Sequence, residues 1–169
     1  FGYGIGPGGE LTDILPFFQA GVVHLVAAGV LGFGGVWHAL AGPEKLEDAF
    51  PFFSTDWRDK DQMTTILGRH LTVLGFGALV FAVNWQFLGG VYDTWAPGGG
   101  EVRLVTPNLA PNDILGYLFS TPWGGGGSLV GVNSMEDIVG GHYYLALLEL
   151  VGGHFHMQTK PYGWARRAF

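Results

Sequence analysis

Long runs without a charged side chain dominate the pattern of this sequence. No Asp, Glu, Lys or Arg occurs in Ile14–Pro43 or in Leu71–Tyr92, and the run Ile138–Thr159 contains only Glu149. A helix needs about 20 apolar residues to cross a hydrocarbon core ~30 Å thick, and each run exceeds that length. The pattern therefore predicts an all-α integral membrane protein. Its three transmembrane helices are expected at about residues 16–40, 64–90 and 136–158.

Composition agrees with a membrane protein and limits its chemistry. Charged residues make up 13% of the 169 positions, whereas a soluble domain usually has about 25%. The net charge of −6 lies mostly in the connections, and no basic patch indicates nucleic-acid binding. The sequence has no cysteine, which excludes disulfides, iron–sulfur clusters and thiol catalysis. Because it begins at Phe1 without a methionine and ends abruptly, we expect a part of a longer chain.

The basic residues indicate how the chain crosses the membrane. Three spans place the connection 93–135 on one side, and the connection 44–62 with the C-terminal tail on the other. Arg103 is the only basic residue on the first side, and Arg69 lies at the edge of the second. The others fall on the second side: Lys45, Arg58, Lys60, Lys160, Arg166 and Arg167. By the positive-inside rule the second side is cytoplasmic or stromal. Residues 93–135, which mix turn formers with aromatic residues, are thus predicted to form a long structured lumenal or periplasmic loop.

Histidines are the polar residues that recur inside the apolar runs. His24 and His38 are fourteen residues apart on the first span, and His142 and His156 have the same spacing on the third. Fourteen residues rise ~21 Å along a helix and return to within ~40° of the same face. Each pair therefore places one imidazole toward each leaflet. His70 is alone on the second span, and His154, two residues before His156, faces elsewhere.

Polar groups at membrane depth are costly, which favours a functional role for these histidines. A single histidine also occurs simply as a hydrogen-bonding partner of a neighbouring helix. A zinc site needs ligands that converge on one point, which this spacing does not provide. A flat metal macrocycle fits better. The histidine spacing is compatible with two such macrocycles. One is haem in a bis-histidine b-type electron-transfer protein, and the other is chlorophyll with one axial ligand per magnesium. The unpaired His70 slightly favours chlorophyll.

Two further features accompany the histidines. Glycines beside them would leave room for a ring, or would simply permit close helix packing: Gly21, Gly34, Gly35, Gly68, Gly140, Gly141, Gly152 and Gly153. Glu149 lies seven residues from both His142 and His156, and therefore on their helix face. A bare charge there costs about 3 kcal/mol or more. We expect Glu149 to be hydrogen-bonded or neutral, or to contact a pigment.

Several long strings resemble one protein family along essentially the whole chain. They include "GGVYDTWAPGGGEVR", "DQMTTILGRHLTVLGFGALV" and "KPYGWARRAF". The sequence resembles the six-helix chlorophyll antenna family of oxygenic phototrophs, and within it the smaller inner antenna type of photosystem II. The iron-stress-induced and prochlorophyte chlorophyll-binding proteins are relatives.

The resemblance implies an antenna domain over residues 1–169 that contains the second to fourth of six helices. It implies light harvesting without catalysis, in which chlorophylls in two leaflet layers transfer excitation energy to a reaction centre. The expected reaction centre is that of photosystem II, and the alternative is a role as a peripheral antenna around photosystem I. Photosystem core subunits and lipids are the implied partners. The implied location is multi-pass in the thylakoid membrane of a cyanobacterium or plastid.

The resemblance also implies the cofactors and their ligands. Chlorophyll a and β-carotene are the expected cofactors. Magnesium ligands are expected at five histidines: His24, His38, His70, His142 and His156. His154 and Glu149 depart from the family pattern, and each suggests an additional pigment contact or a hydrogen bond.

Overall fold

The computed structural model describes residues 1–47 and 49–168, most of them in helices. Three long helices lie where the charge-free runs are. Pro16 lies in the first turn of the first, where its missing N–H has no intrahelical partner to lose. The elements are α1 (Leu15–Leu40), α2 (Met63–Val83), β1 (Val91–Asp93), β2 (Glu101–Arg103), α3 (Pro111–Ile114), α4 (Met135–Gln158) and α5 (Gly163–Ala168). A wider helical turn, Asn84–Leu88, continues α2.

Within the described residues, two helical segments are long and apolar enough to cross a membrane, Leu15–Leu40 and Lys60–Leu88. The length and composition of these helices thus support the expectation of an all-α membrane protein. α4 has the length of a span, but Glu136, Asp137, Glu149 and its histidines make it more polar than the first two. Its crossing of the membrane, and with it the lumenal position of 93–135, stay predictions.

α2 and α4 pack along a seam of small residues spaced seven apart. The buried seam residues are Gly68, Gly75 and Ala82 on α2, and Val139, Ala146 and Gly153 on α4. A methyl group at Gly68 would lie 2.5 Å from the Gly153 carbonyl oxygen, and one at Gly75 would lie 2.8 Å from Leu150 Cγ. The pairing order shows that the helices are antiparallel. Small residues let the two backbones approach closely, as is usual where helices associate in lipid.

A short antiparallel hairpin lies at one end of this helix pair. Val91 pairs with Arg103, and Asp93 with Glu101. Val91 and Val105 are buried with Ala82, Met135 and Val139 in one apolar cluster. The cluster joins the loop 93–135 to the ends of both α2 and α4.

α1 differs from the other long helices because it buries none of its residues. Its large side chains are exposed, among them Leu25, Leu31 and Phe33 at 75%, 75% and 80%. Hydrophobic residues on all sides are typical of a helix surrounded by lipid or by other membrane helices.

Candidate functional site

Four of the six histidines hold their imidazole ring in the same way. In each, Nδ1 lies within hydrogen-bond distance of the backbone carbonyl oxygen four residues earlier. The pairs are His24–Ala20 (2.7 Å), His70–Ile66 (2.7 Å), His142–Ile138 (2.7 Å) and His154–Leu150 (2.8 Å). A carbonyl oxygen only accepts hydrogen bonds, so Nδ1 must carry the proton. In the neutral form of such a ring, Nε2 is the nitrogen with the free lone pair, and this tautomer is one that binds a metal.

His38 and His156 are placed differently. The His38 ring lies edge-on against Trp37, with ring centroids 4.9 Å apart. His156 lies edge-on against Phe155 at 5.2 Å, and its buried Nδ1 has no partner within residues 1–47 and 49–168. The carbonyl contact therefore indicates the tautomer of three predicted magnesium ligands, His24, His70 and His142, and of His154. It leaves the tautomer of the other two predicted ligands open.

The predicted ligands do not converge on one ion. His24 and His38 lie on α1, His70 on α2, and His142, His154 and His156 on α4. α1 and α4 run without a break between their paired histidines, so each pair is separated by ~21 Å along the helix. Among the described residues, no group of three or more His, Asp or Glu side chains is placed to hold a metal ion. Each histidine is thus available as a single axial ligand.

The glycines beside the histidines divide into two groups. A methyl group at Gly21, Gly34, Gly35 or Gly141 would meet nothing within 4 Å. Gly68 and Gly153 instead face each other in the seam, and Gly140 lies against the backbone of Asn108. Helix and loop packing thus accounts for these three, while the open glycines leave room beside His24, His38 and His142.

His142 borders an apolar cavity of about 220 Å³ between α4 and the loop. Its walls are mainly aliphatic and come from both sides: Ile114, Leu118, Leu129, Leu145 and Leu148. Trp85 makes an edge-on contact with the same ring, with a centroid distance of 5.1 Å. The imidazole therefore contacts an indole and borders an apolar space.

A polar cluster fixes the loop wall of that cavity to the start of α4. The Tyr117 hydroxyl donates to Asp137 Oδ2. Asn108 Nδ2 donates to Asp137 Oδ1 at 2.9 Å, and the Asn108 backbone N–H donates to the Glu136 carbonyl at 2.9 Å. The hydrogen bond to Asp137, with burial and the nearby negative charge, raises the pKa of Tyr117 to about 12.

Replacing Tyr117 by phenylalanine is expected to loosen this wall. A hydrogen bond to a charged group contributes about 1.5–3 kcal/mol, and we expect the lower end because Tyr117 is only half-buried. Amide hydrogen exchange of residues 111–132 should become about tenfold faster. Because the pKa of Tyr117 is raised to about 12, its contribution is complete below the ordinary value near pH 10 and is lost as the pH rises toward 12. The difference should therefore be equal at pH 7 and pH 9, and a difference that shrinks over this range would contradict the assignment.

An ion-pair network at Arg103 ties the hairpin to α4. Arg103 Nε lies 2.7 Å from Asp93 Oδ2, and its Nη2 lies 2.5 Å from Glu136 Oε1. Asp93 is 3% exposed, and its Oδ1 accepts from the Trp95 N–H at 2.9 Å. The hydrogen bond to Glu136 raises the pKa of Arg103, with smaller contributions from Asp93. Sequence reasoning missed this network, although the available signal was that Arg103 is the one basic residue of the loop.

Glu149 is half-buried beside the seam. His142 and His156, seven residues before and after it, are half-buried as well. No hydrogen bond or ion pair of the Glu149 carboxylate occurs within the described part of the chain. Its predicted hydrogen bond or pigment contact stays a prediction.

A family model described as "Photosystem II protein" matches residues 1–169. The chain belongs to the photosystem II protein family. This membership makes it a photosynthetic protein and implies a thylakoid membrane location. A photosystem II protein associates with core subunits of that complex and with lipids. Members of the photosystem II family bind chlorophyll and carotenoid.

The match also corrects the finer expectations drawn from resemblance. It points to a photosystem II reaction centre subunit family. The assignment to the six-helix antenna family and the light-harvesting antenna function were therefore wrong, together with the photosystem I and b-type cytochrome alternatives. Those expectations rested on the resemblance carried by the quoted strings, which the family match overrides. The histidine spacing and the apolar helices had left haem and chlorophyll open, because such a pattern does not distinguish different kinds of pigment-binding subunit.

Proposed function

We propose that this chain is a pigment-holding membrane subunit of photosystem II in which histidines supply axial ligands to chlorophyll magnesium. The observation that carries the proposal is the shared bond from Nδ1 to the preceding turn in His24, His70 and His142. It leaves Nε2 as a neutral base directed away from its own helix. Such a base suits a metal that already has four in-plane ligands and one open axial position.

The surroundings of these residues fit the proposed group. Chlorophyll is a large apolar ring with a hydrocarbon tail, and the cavity beside His142 is lined almost entirely by apolar side chains. His24 and His70 are exposed on α1 and α2, where neighbouring side chains are apolar. His38 and His156 belong to the same proposed set, with their Nδ1 partners unassigned. When bound, the pigment supplies light absorption and a Lewis-acidic magnesium.

The residues of the chain do the positioning. The backbone bond at Nδ1 fixes the orientation of the ring. Trp85 packs edge-on against the His142 ring, and the loop contributes apolar side chains to the cavity beside it. No proton transfer or bond cleavage is assigned to any side chain, so the proposed role is not enzymatic.

The remaining parts of the proposal concern placement. We place α4 as a third span beside α2, with residues 93–135 on the lumenal side, in a multi-pass subunit bound to photosystem II core subunits. Chlorophyll a is the proposed pigment. β-Carotene, a hydrocarbon without a ligating group, would lie against exposed apolar faces such as that of α1.

The variant His24→Leu in the intact complex tests the ligand role. His24 is exposed, and α1 buries no residue, so folding should not depend on this ring. Pigment extraction should give one chlorophyll fewer per chain. The matched control is Gln19→Leu, an exposed polar residue of the same helix, which should leave the pigment count unchanged.

Two results would overturn the proposal. One is an unchanged chlorophyll count in His24→Leu, with the same result in His70→Leu. The other is a pyridine haemochrome spectrum from the chain without a red chlorophyll band, because that would assign the histidines to haem.

A further inference from the structure

His154 has the ring arrangement of a ligand but lies on a different face of α4. Its Nδ1 is 2.8 Å from the Leu150 carbonyl oxygen, so its proton is placed there and Nε2 is free. Its neighbour Gly153 is buried in the seam against α2. Successive helical residues are about 100° apart, which turns His154 out of the seam. His156, two residues on, lies roughly 160° away on the opposite side.

The surface around His154 is apolar and open. Leu147 and Val151, about two turns and one turn earlier on this side of the helix, are 60% and 61% exposed. His154 itself is exposed, and its Nε2 makes no hydrogen bond within residues 1–47 and 49–168. With α4 in the membrane, this nitrogen faces hydrocarbon or a neighbouring apolar surface. A polar atom without a partner is unfavourable there, because the hydrocarbon offers it no hydrogen bond.

We propose that His154 is an additional axial ligand for a magnesium tetrapyrrole, bound on the outward face of α4. A free transition-metal ion would need further protein ligands, and no group of three candidate ligands exists in the described part of the chain. A tetrapyrrole brings four ligands of its own and needs one imidazole. Its apolar ring would cover the exposed Leu147 and Val151 side chains.

This inference rests on the proposed function and extends it to a separate site. The sites at His142 and His154 face different neighbours, since His142 contacts Trp85 and borders the loop cavity. A pigment at His154 would instead lie at the outer surface of the α2–α4 pair.

The test compares pigment content of intact complexes that carry His154→Leu, Gln158→Leu or His142→Leu. Gln158 is an exposed polar residue one turn after His154 and controls for polarity on this face. The expected result is one chlorophyll fewer per chain in His154→Leu and in His142→Leu, and no loss in Gln158→Leu. If only His142→Leu loses pigment, the inference about His154 is wrong and the proposed function stands. If neither histidine variant loses pigment, the proposed function fails as well.

A second measurement does not depend on the variants assembling. A high-resolution density map of the unmodified complex should show a macrocycle with its magnesium at coordination distance from His154 Nε2. Lipid or a protein side chain at that nitrogen would overturn the inference.

Discussion

Replacing Arg103 by methionine is expected to release the loop 93–135 from the start of α4. Asp93, only 3% exposed, would lose the cation that compensates its buried charge. Breaking a buried pair costs about 3–5 kcal/mol, and we expect about 2–3 kcal/mol here because the Arg103 side chain is 30% exposed and partly screened. Amide protection of residues 91–105 should fall roughly 30- to 150-fold, at about 1.4 kcal/mol per tenfold. Hydrogen exchange of the purified complex measures this.

Two further variants make the Arg103 result specific. Arg167→Met removes the same charge from an exposed position of α5 and should leave the protection of residues 91–105 unchanged. Adding Asp93→Asn to Arg103→Met should restore part of the protection, because the buried group no longer carries an uncompensated charge. Equal losses in Arg103→Met and Arg167→Met would contradict the structural role of the network.

Adding one methyl group at Gly68 is expected to separate α2 from α4. The new carbon would lie 2.5 Å from the Gly153 carbonyl oxygen and 2.6 Å from the Met157 backbone nitrogen. Backbone atoms of a packed helix do not move aside easily, so Gly68→Ala should destabilise the pair by about 1–3 kcal/mol. Thermal unfolding of the complex, followed by far-ultraviolet circular dichroism, should show a lower midpoint.

Gly77→Ala is the matched control for Gly68→Ala. Gly77 lies on the same helix, and a methyl group there meets nothing within 4 Å. Alanine is a better helix former than glycine by about 0.5–1 kcal/mol, so this variant should be neutral or slightly stabilising. The two substitutions are chemically identical and should act in opposite directions. A shared direction would show that the seam does not limit the approach of the helices.

The helices could be predicted from the sequence because each depends on local composition. Charge-free runs predicted α1 and α2, and the run interrupted only by Glu149 predicted α4. In the structure Ser134 accepts from the Asp137 N–H at the start of α4, as a typical N-cap does. The sequence also contains a signal for the seam between α2 and α4, which is the seven-residue spacing of Gly68, Gly75 and Ala82. For Gly68 the sequence left room for a ring and close helix packing open, and the structure shows close packing there.

The loop contacts could not be predicted from the sequence, because they join residues that are far apart in it. Arg103 meets Glu136 thirty-three positions later, and Tyr117 meets Asp137 twenty positions later. No periodicity connects such partners. The tautomer of the histidines could not be predicted for a different reason. It depends on how each imidazole ring is rotated relative to its own helix, and the position of the helix in the sequence does not determine that rotation. The family could not be predicted from the histidine pattern, because that pattern reflects the chemistry of a pigment and not the complex that contains it. The antenna assignment rested on sequence resemblance, and the family match corrected it.

A histidine already bonded to its own helix has lost most of its rotational freedom before a ligand arrives. Immobilising a flexible side chain during binding costs about 0.5–1.5 kcal/mol, and at His24, His70 and His142 that ordering accompanies helix formation instead. Insertion of the helices and capture of ligands can then be separate events in biogenesis. A newly inserted chain would present imidazole rings whose orientation is already fixed. Each macrocycle would then bind without a preceding rotation of the histidine side chain.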